Sequence, residues 1–522
     1  MNFARFCQLN ARKFADREFL IESYPSRGER RSLTWRQLND RSNALANYLV
    51  AECGITKGDI VLHLMTNSIE WYVAYMAILK TGAAVTPLNF RFAANDIKYA
   101  ADVTRCKAFI LGQDFLPRIE PIRTGLDYVN RYLIVGDTVP AGMASYREIT
   151  ENETRIEVLA ESADDDMAEL MFTSGTTGAP KPVCHTHGTL LYIAIGNALT
   201  TRDGYESVIL APHPFYHSGT LFLSFPSYIA AGKILMTMEL EPKSFLRSMA
   251  DEGCTGGWVS VPTWSDVIQA IKAGRIDPKV YNLSKVRHIE MGAQPVPQVL
   301  IEESKRIFPG LGVGVNYGIT EGGGGGLIHL YPEDCARKPG SIGRATPFME
   351  VKVVDGEGNT VPPGIVGELL IKGSRLMKEY AYNPEMTART IEDGWLHTGD
   401  LVWMDEESFV FFADRMKDLI IRGGENIFPA EIEDVLRKHP KIADVAVLGY
   451  PHPRLVEIVM AVIQPLPSVV LSDAEVIEFV KEQGLAKYKW PEKVIFAPVP
   501  RNPAGKIEKP KLRELYVKPV KQ

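Results

Sequence analysis

Apolar residues recur at helical spacing through residues 33–50 (LTWRQLNDRSNALANYLV), which predicts an amphipathic helix there. The chain from Ile60 continues IVLHLMTNSIEWYVAYMAILKTGAAVTPLN, a pattern that reads as strand, helix, Gly-rich turn and strand. Short β-rich runs follow at 131–135 (RYLIV), 207–211 (SVILA) and 233–238 (KILMTM), separated by further helical patterns. Such alternation predicts an α/β fold: a large, layered N-terminal body of several subdomains.

From about Gly340 the texture changes. VKVVDGEGNTVPPGIVGELLIKG is two β runs joined by Gly and Pro turns, which predicts a β-rich subdomain. After Met416 a compact α+β unit follows, with a strand-like DLII, a Gly-Gly turn, a helix over 429–438, the strand ADVAVLGY and a helix from Asp473. The division expected is a large domain over 1–416 and a small, mobile C-terminal α+β domain over 417–522.

A chain of 522 residues exceeds the usual size of one core, so more than one domain is expected on length alone. Hydrophobic residues make up 45% and charged residues 23%, an ordinary globular balance. The net charge of -6 gives no global attraction for nucleic acid, which is not expected as a partner. Six cysteines lack the paired spacing of zinc sites or redox dithiols and read as reduced thiols. Charges interrupt the apolar runs of the first nineteen residues, so no signal peptide is read there, and no run elsewhere is long enough to span a membrane. A cytoplasmic location is the expectation.

Candidate chemistry begins at residues 173–181, TSGTTGAPK, after the strand-like ELMF. Gly175 and Gly178 let backbone N–H groups approach phosphate oxygens, Thr173, Ser174, Thr176 and Thr177 add hydroxyl donors, and Lys181 adds charge. The order is not that of a Walker loop. This segment resembles the signature loop of the adenylate-forming superfamily, which comprises acyl-CoA synthetases, amino-acid adenylation domains and beetle luciferases. NYGITE (316–321), GELLIKG (367–373), WLHTGD (395–400), DRMKDLIIRGGENIFPAEIE (414–433) and NPAGKIEK (502–509) resemble its further motifs in the same order.

The resemblance implies an ATP-dependent ligase that joins a carboxylic acid to AMP and then passes the acyl group to coenzyme A. It places the loop around the β and γ phosphates, Thr320 at the α-phosphate and Glu321 on Mg²⁺. Asn316, Tyr317 and Gly318 would line the nucleotide, with Gly292 and Ala293 on the other side of the adenine. Asp400 and Arg415 match the ribose-holding pair. Lys506 matches the lysine that reaches from the small domain to the reacting oxygens, and Lys417 matches the hinge about which that domain turns between half-reactions. Gly423, Gly424 and Glu425 would face the pantetheine of coenzyme A.

His217, within APHPFYHSGT, occupies the family's histidine position near the substrate carboxylate and is assigned a positioning role. That segment has no aspartate to pair with an α-ammonium group, which favours an acid without one. Gly322 and Gly323 open a run of five glycines where relatives place side chains that line the acyl pocket. The space so left would admit an aromatic, alicyclic or medium-chain acid, with Phe215, Trp258 and Trp264 as apolar walls. Pro182 and the segment PHPRLVE after Tyr450 depart from the family pattern, where a Gly follows the loop lysine and a Gly-Glu pair is common. Loading of a carrier protein, a luciferase-like oxygenase reaction and an inert nucleotide-binding protein are the competing readings.

Overall fold

The structure is a computed structural model, and it describes residues 1–152, 154–173, 180–329, 331, 333–423, 425–501 and 506–517. Within them the α/β alternation read from the sequence is realised as strand Ile60–Leu64, helix Ile69–Lys80 and strand Ala84–Pro87, after helix Trp35–Ala51. Local chemistry sets the helix starts. Thr34 and Gln37 form a reciprocal capping box at the first helix, and the Ser68 hydroxyl accepts from Trp71 N–H at 3.0 Å at the second. Helix Ile69–Lys80 is buried on every side, which explains its nearly unbroken apolar sequence. Its terminal Lys80 is wholly enclosed and donates to Asn39 and Asn43 side chains at 2.7 and 2.5 Å.

Two large sheets carry the N-terminal body. One orders Glu379–Tyr380, Lys181–Thr186, Met167–Thr173, Ala84–Pro87, Ile60–Leu64, Ala108–Gly112, Arg131–Val135 and Ala144–Ser145. The other runs parallel through Val208–Leu210, Gly256–Ser260, His288–Gly292 and Gly312–Tyr317. Between the sheets lies the main core, in which Tyr72, Tyr75 and Met76 meet Leu221, Phe222 and Phe225 of helix Ser218–Ile229.

The β-rich segment after Gly340 is not a detached unit. Strand Leu327–Ile328 pairs with Tyr317 on one side and with Ser341–Ala345 on the other, so the antiparallel strands through Val410–Arg415 continue the second sheet. This continuity brings Asp400 and Arg415 beside Tyr317. Beyond Ile420 a separate sheet forms, in which Ile442–His452 and Val456–Pro465 are the long central pair. Helices Pro429–Leu436 and Asp473–Glu482 close one face over its own core of Ile432, Leu436, Val447, Val459 and Val476.

Candidate active site

The loop at 174–179 joins two antiparallel strands, Met167–Thr173 and Lys181–Thr186, whose register sets Thr173 directly opposite Lys181. It is therefore a hairpin connection, unlike a Walker loop, which leads from a strand into a helix. Ser174, Gly175, Thr176, Thr177 and Gly178 lie outside the described residues, as does Gly424. Pro182 fits the hairpin in register with Phe172, and its carbonyl accepts from Ala381 N–H at 2.9 Å.

Thr320 and Glu321 start a short 3-10 turn after strand Gly312–Tyr317. The Thr320 carbonyl takes a hydrogen bond from His185 Nε2 at 2.9 Å, and its hydroxyl meets Ser218 Oγ at 3.2 Å. His185 is enclosed, and burial pushes its pKa down to about 4, so it stays a neutral donor. Glu321 is held twice: its carbonyl accepts from Met377 N–H at 2.8 Å, and its Oε1 accepts from the Tyr380 hydroxyl at 2.8 Å.

Across the turn, the Tyr317 hydroxyl donates to Asp400 Oδ2 at 2.5 Å. Asp400 and Arg415 are cross-strand partners, with Arg415 Nε 3.4 Å from Asp400 Oδ1. Gly292 ends its strand beside Asn316, so close that a Cβ would lie 2.1 Å from the Asn316 carbonyl oxygen. Ala293 then turns the chain with φ of +67°. Gly292, Ala293, Asn316, Tyr317, Gly318, Asp400 and Arg415 are thus gathered on one side of the turn.

His217 caps helix Ser218–Ile229, accepting from Gly219 N–H through Nδ1 at 3.2 Å. An Nδ1 that accepts cannot carry the proton, so the neutral ring carries it on Nε2 and is a donor there. Burial, reinforced by Lys506, pushes the pKa down to about 3. The ring lies parallel to Trp258 at 5.9 Å. Lys506 is half-buried with Arg415, Asp400, Glu321 and Lys417 in electrostatic reach, and the desolvation there, followed by Arg415, pushes its pKa down to about 8. Arg501 chelates Asp444 at 2.7 and 2.8 Å and donates to Gln294, next to Ala293.

Lys417 sits in a one-turn 3-10 segment with its pKa lowered by burial, and its neighbour Asp418 pairs with Arg513 at 2.6 Å. Gly423 occupies a hairpin with φ of +60°, its N–H donating to the Leu455 carbonyl at 2.7 Å, while Glu425 is exposed beside it.

Two sequence expectations are corrected. Trp264 does not wall a pocket: it is wholly buried in the helix layer behind the sheet, donates to Ser304 Oγ at 2.8 Å and packs against Phe308. The glycine run does not leave open volume either. A Cβ on Gly322 would lie 2.7 Å from Ile371, on Gly323 2.9 Å from Ile193, and on Gly324 2.9 Å from Phe222. The glycines let the turn press against its neighbours, and Gly323 and Gly324 both hold φ of +78°. Phe215 is likewise enclosed, by Trp71 and Tyr72, whereas Trp258 stays beside His217.

Sequence reasoning missed Tyr380, His185, Gln294 and Arg501. None carries a sequence signal beyond its residue type, because each acquires its partners only through strand register or domain contact.

The AMP-binding enzyme family profile matches residues 7–381, and the profile of the AMP-binding enzyme C-terminal domain matches 431–506. A long-chain-fatty-acid–CoA ligase of Mycobacterium tuberculosis (strain ATCC 25618 / H37Rv) is 35% identical over 93% of both chains. A feruloyl-CoA synthase of Amycolatopsis sp. is 31% identical over 93% of this chain and 94% of that one. Among solved structures, an anthranilate CoA ligase in complex with anthranoyl-AMP superposes with a TM-score of 0.88 at 26% identity, covering 99% of this chain and 97% of that one.

Proposed function

The chain belongs to the AMP-binding enzyme family as an AMP-forming acid–thiol ligase that uses ATP and coenzyme A, and from that premise we propose how its own residues divide the reaction. The observation that carries the proposal is the position of the half-buried Lys506 among Arg415, Asp400, Glu321 and His217. A carboxylate and a triphosphate repel each other, so their encounter requires a cation at the reacting oxygens. Lys506 supplies it, bridging the attacking carboxylate and the α-phosphate. The His217 Nε2–H donates to the carboxylate and orients it, without acting as a base.

Asp400 and Arg415 hold the ribose, and Tyr317 with Gly292 and Ala293 encloses the adenine. Thr320 contacts the α-phosphate. The loop over 173–181 wraps the outer phosphates, with Lys181 as its cation. Glu321 fits Mg²⁺, since a carboxylate oxygen facing phosphates is the ligand type that ion takes. Held by Glu321, Mg²⁺ would supply positive charge to the outer phosphates. After adenylation the small domain, 417–522, turns about Lys417, withdrawing Lys506 and bringing Gly423, Gly424 and Glu425 to the acyl side for thiol attack.

For the acid we propose an apolar carboxylic acid with an aromatic, alicyclic or medium-length chain and no α-amino group. Residues 211–220 contain no acidic side chain, helix Ser218–Ile229 carries no charged residue, and the relatives named for long-chain fatty acids and for feruloyl groups are named for acids without an α-amino group. The test is a panel of acids assayed for AMP, pyrophosphate and acyl-CoA, with Lys506→Ala beside the wild type. Lys506→Ala is expected to lose adenylation by about a hundredfold or more while still converting supplied acyl-adenylate to thioester. Equal loss of both steps, or highest kcat/KM with acetate, would contradict the assignment.

A further inference from the structure

Tyr380 lies between two opposite charges that a polyphosphate must meet separately. Its hydroxyl donates to Glu321 Oε1 at 2.8 Å, and its ring centroid is 5.4 Å from Lys181 Nζ. The side chain is buried, and its backbone is fixed from both directions. Tyr380 pairs in register with Val183, two residues beyond Lys181, and Lys378 N–H donates to the Cys184 carbonyl at 2.8 Å. Three residues earlier in the same segment, Met377 N–H donates to the Glu321 carbonyl at 2.8 Å. The edge strand Glu379–Tyr380 is therefore tied both to the lysine's strand and to the carboxylate's turn.

Lysine and glutamate at the mouth of one site attract each other, and in the absence of ligand the low-energy arrangement is a direct ion pair. Among the described residues no ion pair joins Lys181 to Glu321. The aromatic face offers the ammonium a cation–π seat, and the hydroxyl occupies Glu321 Oε1. A phenol hydroxyl donates to a carboxylate oxygen, which can only accept.

We propose that Tyr380 is a positioning residue for adenylation, a spacer that keeps Lys181 and Glu321 from neutralising each other and presents the lysine to phosphate and the carboxylate to Mg²⁺. The assignment rests on the reading of Lys181 and Glu321 given above. It assigns the ring and the hydroxyl different tasks, so two substitutions separate them: Tyr380→Phe keeps the lysine's seat and frees Oε1, whereas Tyr380→Leu removes both.

The test measures the Mg²⁺ dependence of adenylation, ATP binding by calorimetry with and without Mg²⁺, and thioester formation from supplied acyl-adenylate, all in the full chain. For Tyr380→Phe the half-saturating Mg²⁺ concentration should rise about tenfold with Mg²⁺-free ATP binding unchanged. For Tyr380→Leu, Mg²⁺-free ATP binding should also weaken about tenfold. On a Glu321→Gln background, Tyr380→Phe should change Mg²⁺ dependence no further. Thioester formation from the adenylate should be unaffected throughout. Wild-type Mg²⁺ dependence in Tyr380→Phe, or parallel loss of both half-reactions, would overturn the proposal. A wild type whose adenylation ignores Mg²⁺, or whose Glu321→Gln form matches it, would instead overturn the reading of Glu321 and this assignment with it.

Discussion

Val456 holds φ of +70°, in the left-handed region that a β-branched side chain occupies only at a cost, and it is 63% exposed. It lies in PHPRLVE, where the family resemblance implies a Gly-Glu pair, and a glycine would suit this backbone. The turn demands a left-handed residue so that Glu457 can accept from Ile421 N–H at 2.9 Å and Leu455 can accept from Gly423 N–H. Val456→Gly should therefore stabilise the C-terminal sheet by about 1 kcal/mol, the steric relief exceeding the entropic cost of a glycine. The check is the urea midpoint of the full chain, and a lower midpoint for the variant would refute the strain. At this scale the motif residues were legible from their types and order. Tyr380 and Gln294 were not, because a tyrosine in KEYAYNPE and a glutamine in GAQPV gain meaning only when a strand edge and a second domain meet them.

Among elements, the turn after strand Gly312–Tyr317 shows where pattern reading misleads. Five glycines suggest removed side chains and an enlarged pocket, yet the turn is wound on itself, with Gly322 and Gly324 N–H groups both bonded to the Ile319 carbonyl. The expected consequences differ by position. Gly324→Ala meets both a φ of +78° and a Phe222 carbon at 2.9 Å, so it should destabilise by about 1–3 kcal/mol and slow adenylation by displacing Thr320 and Glu321. Gly326→Ala, whose nearest neighbour is Met349 at 3.6 Å, should be tolerated. Melting temperatures with the acid profile of each variant decide it: if both simply shift preference toward smaller acids at unchanged stability, the glycines do open the pocket. Helix and strand positions were legible because their 3.6 and 2.0 periods are local. The join between the β-rich segment and the parallel sheet was not, since strand Leu327–Ile328, which makes it, is two residues long.

For the whole molecule, the consequence of bringing two domains together is concentrated in one ionisable group. Lys506 belongs to the C-terminal domain, and Arg501 of that domain contacts both Asp444 and Gln294, next to Ala293 of the N-terminal body. Desolvation and Arg415 lower the Lys506 pKa from the ordinary lysine value to about 8. The role proposed for Lys506 in adenylation needs the charged form, which is present below that value and lost as pH rises through it. The kcat/KM for adenylation, which reports the free enzyme, should thus fall above about pH 8, roughly two units earlier than an exposed lysine would allow. Bound triphosphate adds negative charge beside the ammonium and raises its pKa, so the corresponding limb in kcat should lie at higher pH. In the proposed domain turn Lys506 is withdrawn during thioester formation, which from supplied adenylate should then show no falling limb. It should rise with pH instead, as the attacking thiol ionises. Rate profiles of the two half-reactions between pH 6 and 10 test this directly: a shared falling limb near pH 8 would mean that the group responsible stays in the site through both steps, against a domain that turns.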